Sequence, residues 1–207
     1  MTIAYHESDM LDWALGIGDS KTLVHVFASH RRFGGGWRNH SSTQEECLFN
    51  RTPLRGEGPP AGSYPIDGAG GRTGFVVDIA GYLAFAFVPA PVADRASAWT
   101  LADRARRLAE LAAEDGYRHV VSGAWGCGVF KNDPREVARA LGEAFRTYSG
   151  TLHLCFSNDA MLSIFRAVID SQTPTRPYGA LAPPEFVHSI GLSAVKTVQI
   201  RKNRRQR

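Results

Sequence analysis

The chain has 207 residues, 43% of them hydrophobic and 21% charged, which is enough to bury one proper core. No run reaches the roughly 18 uncharged apolar residues of a membrane span, and Met1 to Trp13 shows neither a basic leader nor a continuous apolar segment, so a cytoplasmic protein without a membrane partner is expected. The formal net charge is +4, but the last heptad, RKNRRQR, holds five positive residues and leaves the remainder at −1; the basicity is that of a tail suited to a polyanion or to solubility alone. One domain over residues 1–200 and a basic tail over 201–207 are expected, as a monomer.

The first expected element is a helix, with Ser8 as its N-cap, Met10, Leu11, Ala14 and Leu15 at helical spacing, and glycines to stop it. TLVHVFAS then reads as a buried strand, rich in β-branched and aromatic residues, and runs into Gly34, Gly35 and Gly36. QEECLFNRT suits a short helix, and the stretch from Arg51 to Gly74, crowded with Gly and Pro, reads as a long irregular loop that acts as a flap. Two strands follow at GFVVDIA and YLAFAFV. An amphipathic helix is expected from Arg95 to Asp115, on Trp99, Leu101, Ala105, Leu108, Leu111 and Ala112, closed by Gly116.

RHVVSG gives a short strand that leads into a second glycine cluster, GAWGCGVFKNDP. Asp133 stands at an N-cap position, Pro134 at the first helical position and Glu136 three after the cap, which starts a helix through Phe145. LHLCFS is a further strand, Asn158 or Asp159 caps a helix through Ile169, and AVKTVQI is strand-like. Strands that alternate with amphipathic helices predict an α/β layered fold with helices on both faces of a mixed sheet, and ligands in such sheets lie outside the carboxyl ends of the strands, where both glycine clusters fall.

The second cluster, with Gly123, Gly126 and Gly128, lets several N–H groups converge on phosphate oxygens just ahead of a helix start. It lacks both the GxGxxG dinucleotide fingerprint and the GK[ST] ending of a P-loop, so NAD-dependent redox chemistry and nucleotide triphosphate hydrolysis are disfavoured. In the first cluster, Glu45 and Glu46 are neighbours whose side chains diverge by about 100° on a helix, so one acid is expected to move a proton while the other orients. Both also suit a helix N-terminus as plain dipole partners. Cys47, Cys127 and Cys155 are scattered and lack metal-ligand spacing, so reduced thiols, no structural metal and no cofactor are expected. Cys127 fits as a small loop residue rather than a nucleophile. Trp37 and Trp125 either wall the cleft or pack on each other. Arg31, Arg32 and Arg38 are open to phosphates, and His40 reads as a loop histidine.

GGGWRNHSSTQEE resembles the GGG, six to eight residues, QEE signature of poly(ADP-ribose) glycohydrolases, and GAWGCGVFKNDP resembles their diphosphate loop. The two motifs stand in the family's order about 80 residues apart, within a likeness that runs from Thr22 to Ile169 and is similar to the compact bacterial branch. The resemblance implies a three-layer α/β/α macrodomain that binds ADP-ribose or poly(ADP-ribose). It implies Glu46 as the catalytic acid/base, Glu45 as a partner on the ribose, Gln44 as support for the loop, and Gly34, Gly35 and Gly36 against the scissile ribose. Gly126, Cys127, Gly128 and Val129 would wrap the diphosphate, with Phe130 packed on the ribose. Ser29 departs from the family's asparagine, with His30 after it. The expected activity is hydrolysis of ribose–ribose bonds in the polymer; removal of single ADP-ribose units from protein or nucleic acid, and non-catalytic ADP-ribose binding, stand beside it.

Overall fold

The computed structural model describes residues 2–39, 43–66, 74–97 and 99–172, all within one compact unit, Met1–Pro174. The AVKTVQI segment, the basic tail, the expected boundary at 200 and His40 lie outside the described residues. Strands β1 (Thr2–Glu7), β2 (Thr22–Val26), β3 (Phe75–Asp78), β4 (Ala84–Phe87), β5 (His119–Gly123) and β6 (Thr151–Phe156) form one sheet in the order β1-β6-β5-β2-β4-β3. All neighbours are parallel except β3, which pairs antiparallel to β4 at one edge.

Alternation along the strands supplies two cores. Leu23, Ala84, Ala86, Val120, Leu152 and Leu154 face helices α3 (Leu101–Glu114), α4 (Pro134–Ala144) and α5 (Asp159–Gln172). Val24, Val26, Phe85, Phe87, Val121 and Cys155 face α1 (Met10–Ile17) and α2 (Gln44–Arg51). The result is the three-layer α/β/α macrodomain architecture, with strands buried on both sides as parallel sheets require.

Several boundaries differ from the sequence reading. Asp9, not Ser8, caps α1: its Oδ1 accepts from the N–H groups of Leu11 and Asp12. Helix α3 begins at Leu101 rather than Arg95, because Thr100 and Asp103 close a reciprocal capping box there. The polar strand β1, which no periodicity announced, pairs with β6 along its whole length. In the stretch read as a flap, Pro53–Gly56 forms a short 3-10 helix with Leu54 fully buried, and Ile66 is buried with its N–H donated to His30 O. Where described, this segment is anchored at Leu54 and Ile66, while residues 55–62 between them are exposed.

Strands β2 and β5 are adjacent and parallel, with Leu23 opposite Val120. From β2 the chain goes on to β3 and β4 on one side, and from β5 to β6 on the other, so the two glycine loops leave the sheet side by side at a switch in strand order.

Candidate active site

Gln44 fixes the first loop to the sheet. Its side-chain Oε1 accepts from Phe27 N–H at 2.9 Å and its Nε2 donates to His25 O at 2.8 Å, so the amide pairs with the end of β2 as another strand would. With that residue locked, Glu45 and Glu46 follow in the first turn of α2, and both are buried, at 2% and 6% exposure.

The two acids have different partners. Glu45 ties the loop to itself: Oε2 accepts from Ser29 N–H at 2.7 Å and Oε1 from Gly34 N–H at 2.9 Å. Burial pushes its pKa up to about 8, against the pull of those two donors and with the help of neighbouring Glu46. Glu46 spends only Oε1, on Gly36 N–H at 2.8 Å, and among the described residues its buried Oε2 has no partner.

The glycines are shaped by these acids and by aromatic rings. Gly35 has φ of +57°, and a Cβ there would collide with Glu46 Oε1; at Gly34, φ is +81° and a Cβ would strike Trp37 and Phe49. Bare backbone is therefore needed by the protein's own packing before any ligand arrives. Trp37 stacks on Phe49, while Trp125 is fully buried, donates Nε1–H to Val88 O at 3.0 Å and tilts against His25, so the two tryptophans occupy separate places.

One cavity of about 690 Å³ receives both loops. It is lined by Gly35, Gly36, Gln44, Glu45 and Glu46 from the first loop and by Gly126, Gly128, Val129 and Phe130 from the second. Gly34 and Cys127, predicted with them, are not in the lining. The Cys127 thiol is pushed up to about 12, chiefly by burial, which keeps it a thiol. Neither Asp133 nor Pro134, at the start of α4, lines the cavity. Among the described residues the N–H groups of Gly128, Val129 and Phe130 instead find no acceptor, and Val129 is 72% exposed. Three consecutive free donors on a glycine loop suit an anion. Among those residues, no group of three or more metal-ligating side chains is arranged to hold an ion, and no helix is long and apolar enough to cross a membrane.

Two further cavities flank this one along the carboxyl edge of the sheet. One, of about 360 Å³, shares Phe27, Gln44 and Ala124 with it and is walled by Asp9, Met10, Phe156 and Met161. The other, of about 430 Å³ between the loops after β2 and β4, shares Ser29, Arg31 and Phe130 and adds Arg95. The placement of Asp9 and Arg95 beside the central cavity carried no signal in the sequence, because it arises only when distant strands pair. At the departure from the family pattern, Ser29 turns its Oγ to the N–H groups of Arg31 and Arg32. Its neighbour His30 donates Nε2–H to Ala90 O and rests on Phe130.

The architecture aligns with a poly(ADP-ribose) glycohydrolase of Deinococcus radiodurans, solved with ADP-ribose, at a TM-score of 0.65 and 25% identity over 83% of this chain and 85% of that one. The fold is that of the bacterial poly(ADP-ribose) glycohydrolases. A second crystal form of the same complex gives a TM-score of 0.63 at 26% identity, over 82% and 84% of the two chains. The Thermomonospora curvata poly(ADP-ribose) glycohydrolase, bound to the inhibitor ADP-HPD, aligns at a TM-score of 0.56 and 23% identity over 83% of this chain and 78% of that one, a likeness of fold alone. No protein-family model and no curated protein matches the sequence.

Proposed function

We propose that the chain is an ADP-ribosyl glycohydrolase that hydrolyses the ribose–ribose O-glycosidic bond of poly(ADP-ribose) and releases ADP-ribose. The observation that carries this reading is the pairing, in one cavity, of a carboxyl oxygen without a partner, Glu46 Oε2, with the free N–H groups of Gly128, Val129 and Phe130. The similarity to glycohydrolases solved with ADP-ribose supports the same assignment.

The N–H groups take the diphosphate, and the distal ribose lies between Phe130 and the acid pair. Adenine enters the flanking cavity walled by Phe27, Met10, Met161 and Phe156. There Asp9 Oδ1 is already used by Leu11, Asp12 and Arg51, which leaves Oδ2 to accept from the exocyclic amine. Protonated Glu46 gives its proton to the departing ribose oxygen as the anomeric carbon gains oxocarbenium character, and the diphosphate helps to offset that positive charge. Ionised Glu46 then takes a proton from the water that attacks the anomeric carbon. Glu45, with both oxygens committed to backbone, is the positioning partner.

Glu46→Gln tests the assignment. Release of ADP-ribose from polymer is expected to fall by about 10²- to 10⁴-fold, the usual contribution of general acid/base catalysis, with ADP-ribose affinity by calorimetry largely kept. Unchanged release would overturn the reading; bound ADP-ribose with no release from the unaltered chain would make it a binding module.

A further inference from the structure

Resting on the assignment above, the released unit fills the central cavity and the one beside Asp9, and the cavity between the β2 and β4 loops has no share in it. We propose that this third cavity is the leaving-side subsite, and that it takes the adenosine ribose and 5′-phosphates of the preceding ADP-ribose unit. The substrate is then the polymer rather than a single ADP-ribose on a side chain.

Position is the first argument. The cavity adjoins the central one, sharing Ser29, Arg31 and Phe130 with it, whereas the cavity beside Asp9 adjoins it at Phe27, Gln44 and Ala124. A group leaving the anomeric carbon away from the diphosphate has this concavity to enter.

Charge is the second. The lining holds Arg31 and Arg95 and, among the described residues, no Asp or Glu. Among the described residues neither guanidinium is engaged in a hydrogen bond or ion pair. Two unpaired cations at the mouth of a nucleoside-sized hollow, with Pro91 and Phe130 as apolar wall, fit a diphosphate followed by a nucleoside. A serine leaving group brings no anion to meet them.

Construction is the third. The loop that carries Arg95 is held from beneath by Arg104, a fully buried arginine that donates to Pro89 O at 3.1 Å, Trp99 O at 3.3 Å and Ser97 Oγ at 3.2 Å. It is also tied to the diphosphate loop, by Ala93 N–H to Phe130 O at 2.8 Å and by Asn132 Nδ2 to Pro91 O at 2.8 Å. Burying a guanidinium is costly unless its donors are used, and here they are used to set this wall. In the reaction the bond from the anomeric carbon to the adenosine 2′-oxygen breaks, that oxygen takes the Glu46 proton, and water supplies hydroxide to the anomeric carbon and returns a proton to Glu46.

The test uses Arg95, which lines only this cavity and is exposed, so its replacement spares the fold. In a Glu46→Gln background, the ribose-linked dimer of ADP-ribose should bind about tenfold or more tighter than ADP-ribose, a typical gain for a charge-assisted contact. Adding Arg95→Glu should abolish that advantage and leave ADP-ribose affinity unchanged. In the active enzyme, Arg95→Glu should lower kcat/KM on the dimer by about tenfold or more, with the gap narrowing in salt. On an ADP-ribose glycoside whose leaving group is uncharged nitrophenol it should change kcat/KM less than twofold. Arg95→Lys should keep part of the dimer activity. Equal affinity for dimer and monomer, or an Arg95→Glu enzyme indifferent to the dimer, would overturn the subsite while nitrophenyl glycoside turnover leaves the glycohydrolase reading standing. Arg95-dependent cleavage of ADP-ribosylated phosphorylated DNA ends, without such dependence on the dimer, would replace polymer with nucleic acid. No binding of ADP-ribose at all would remove both proposals.

Discussion

Glu45 and Glu46 share a sequence environment and diverge through which backbone groups reach them. Glu45 collects N–H groups from residues 29 and 34, while Glu46 keeps one oxygen in reserve. The pKa of Glu45, raised to about 8 by burial, has a measurable sign. Between the unfolded value near 4.5 and about 8 the folded chain holds a proton that the unfolded chain releases, so this carboxyl stabilises the fold at low pH and that stabilisation is lost as pH rises through about 8. Glu45→Gln should therefore change Tm relative to the parent in a pH-dependent way, the difference shifting in favour of the variant from pH 4.5 to 8. A difference that stays flat across that range would contradict a raised pKa. The acid pair, and the expectation that one acid moves a proton while the other orients, were legible as a motif; which backbone groups each carboxyl meets was not, since that depends on contacts between residues 10 to 16 apart that local pattern does not encode.

At the scale of elements, the clearest signals in the sequence were those closed within a few residues. Asp133 followed by Pro134 marks the start of α4, and Asp133 does accept from Arg135 N–H at 2.8 Å. Strand β1 was missed because TIAYHE is half-exposed at a sheet edge and has no strong alternation; β6 makes it a strand. Helix α3 was started too early because the apolar spacing from Trp99 onward ran on while the capping box at Thr100 was overlooked. The coupling of α2 to β2 through Gln44 lies outside any local signal and yields a prediction. Gln44→Leu leaves Phe27 N–H and His25 O without partners in a partly buried place, at about 1–3 kcal/mol for each group left unsatisfied. A Tm lower by several degrees, and turnover reduced more than that loss of stability explains, are expected; a variant that melts like the parent would refute the role.

For the whole molecule, two histidines set the acid limit. His25 is fully buried, donates Nε2–H to Val88 O and accepts from Ser122 O–H at Nδ1, and burial lowers its pKa to about 4. His153 lies between His6 and His119 on three adjacent strands and accepts the Trp13 indole N–H at Nδ1; burial, then the two neighbouring histidines, lower its pKa to about 4. The unfolded chain protonates both near 6.5 while the folded chain resists to about 4, so stability is expected to fall as pH drops across that window. His153→Gln should flatten the fall measured by denaturant titration; the same slope in variant and parent would exclude this histidine as a source. The alternation of strands and amphipathic helices announced the layered fold, but a histidine in a strand reads like any polar interruption until its neighbours are known.

Because the amide of Gln44 stands in for a peptide group, β2 keeps the count that decides where the carboxylates lie. A slip of one residue within β2 would offer the amide the wrong pair of backbone groups and turn the acids out of the hollow. Over generations the phase of the strand is not free to drift.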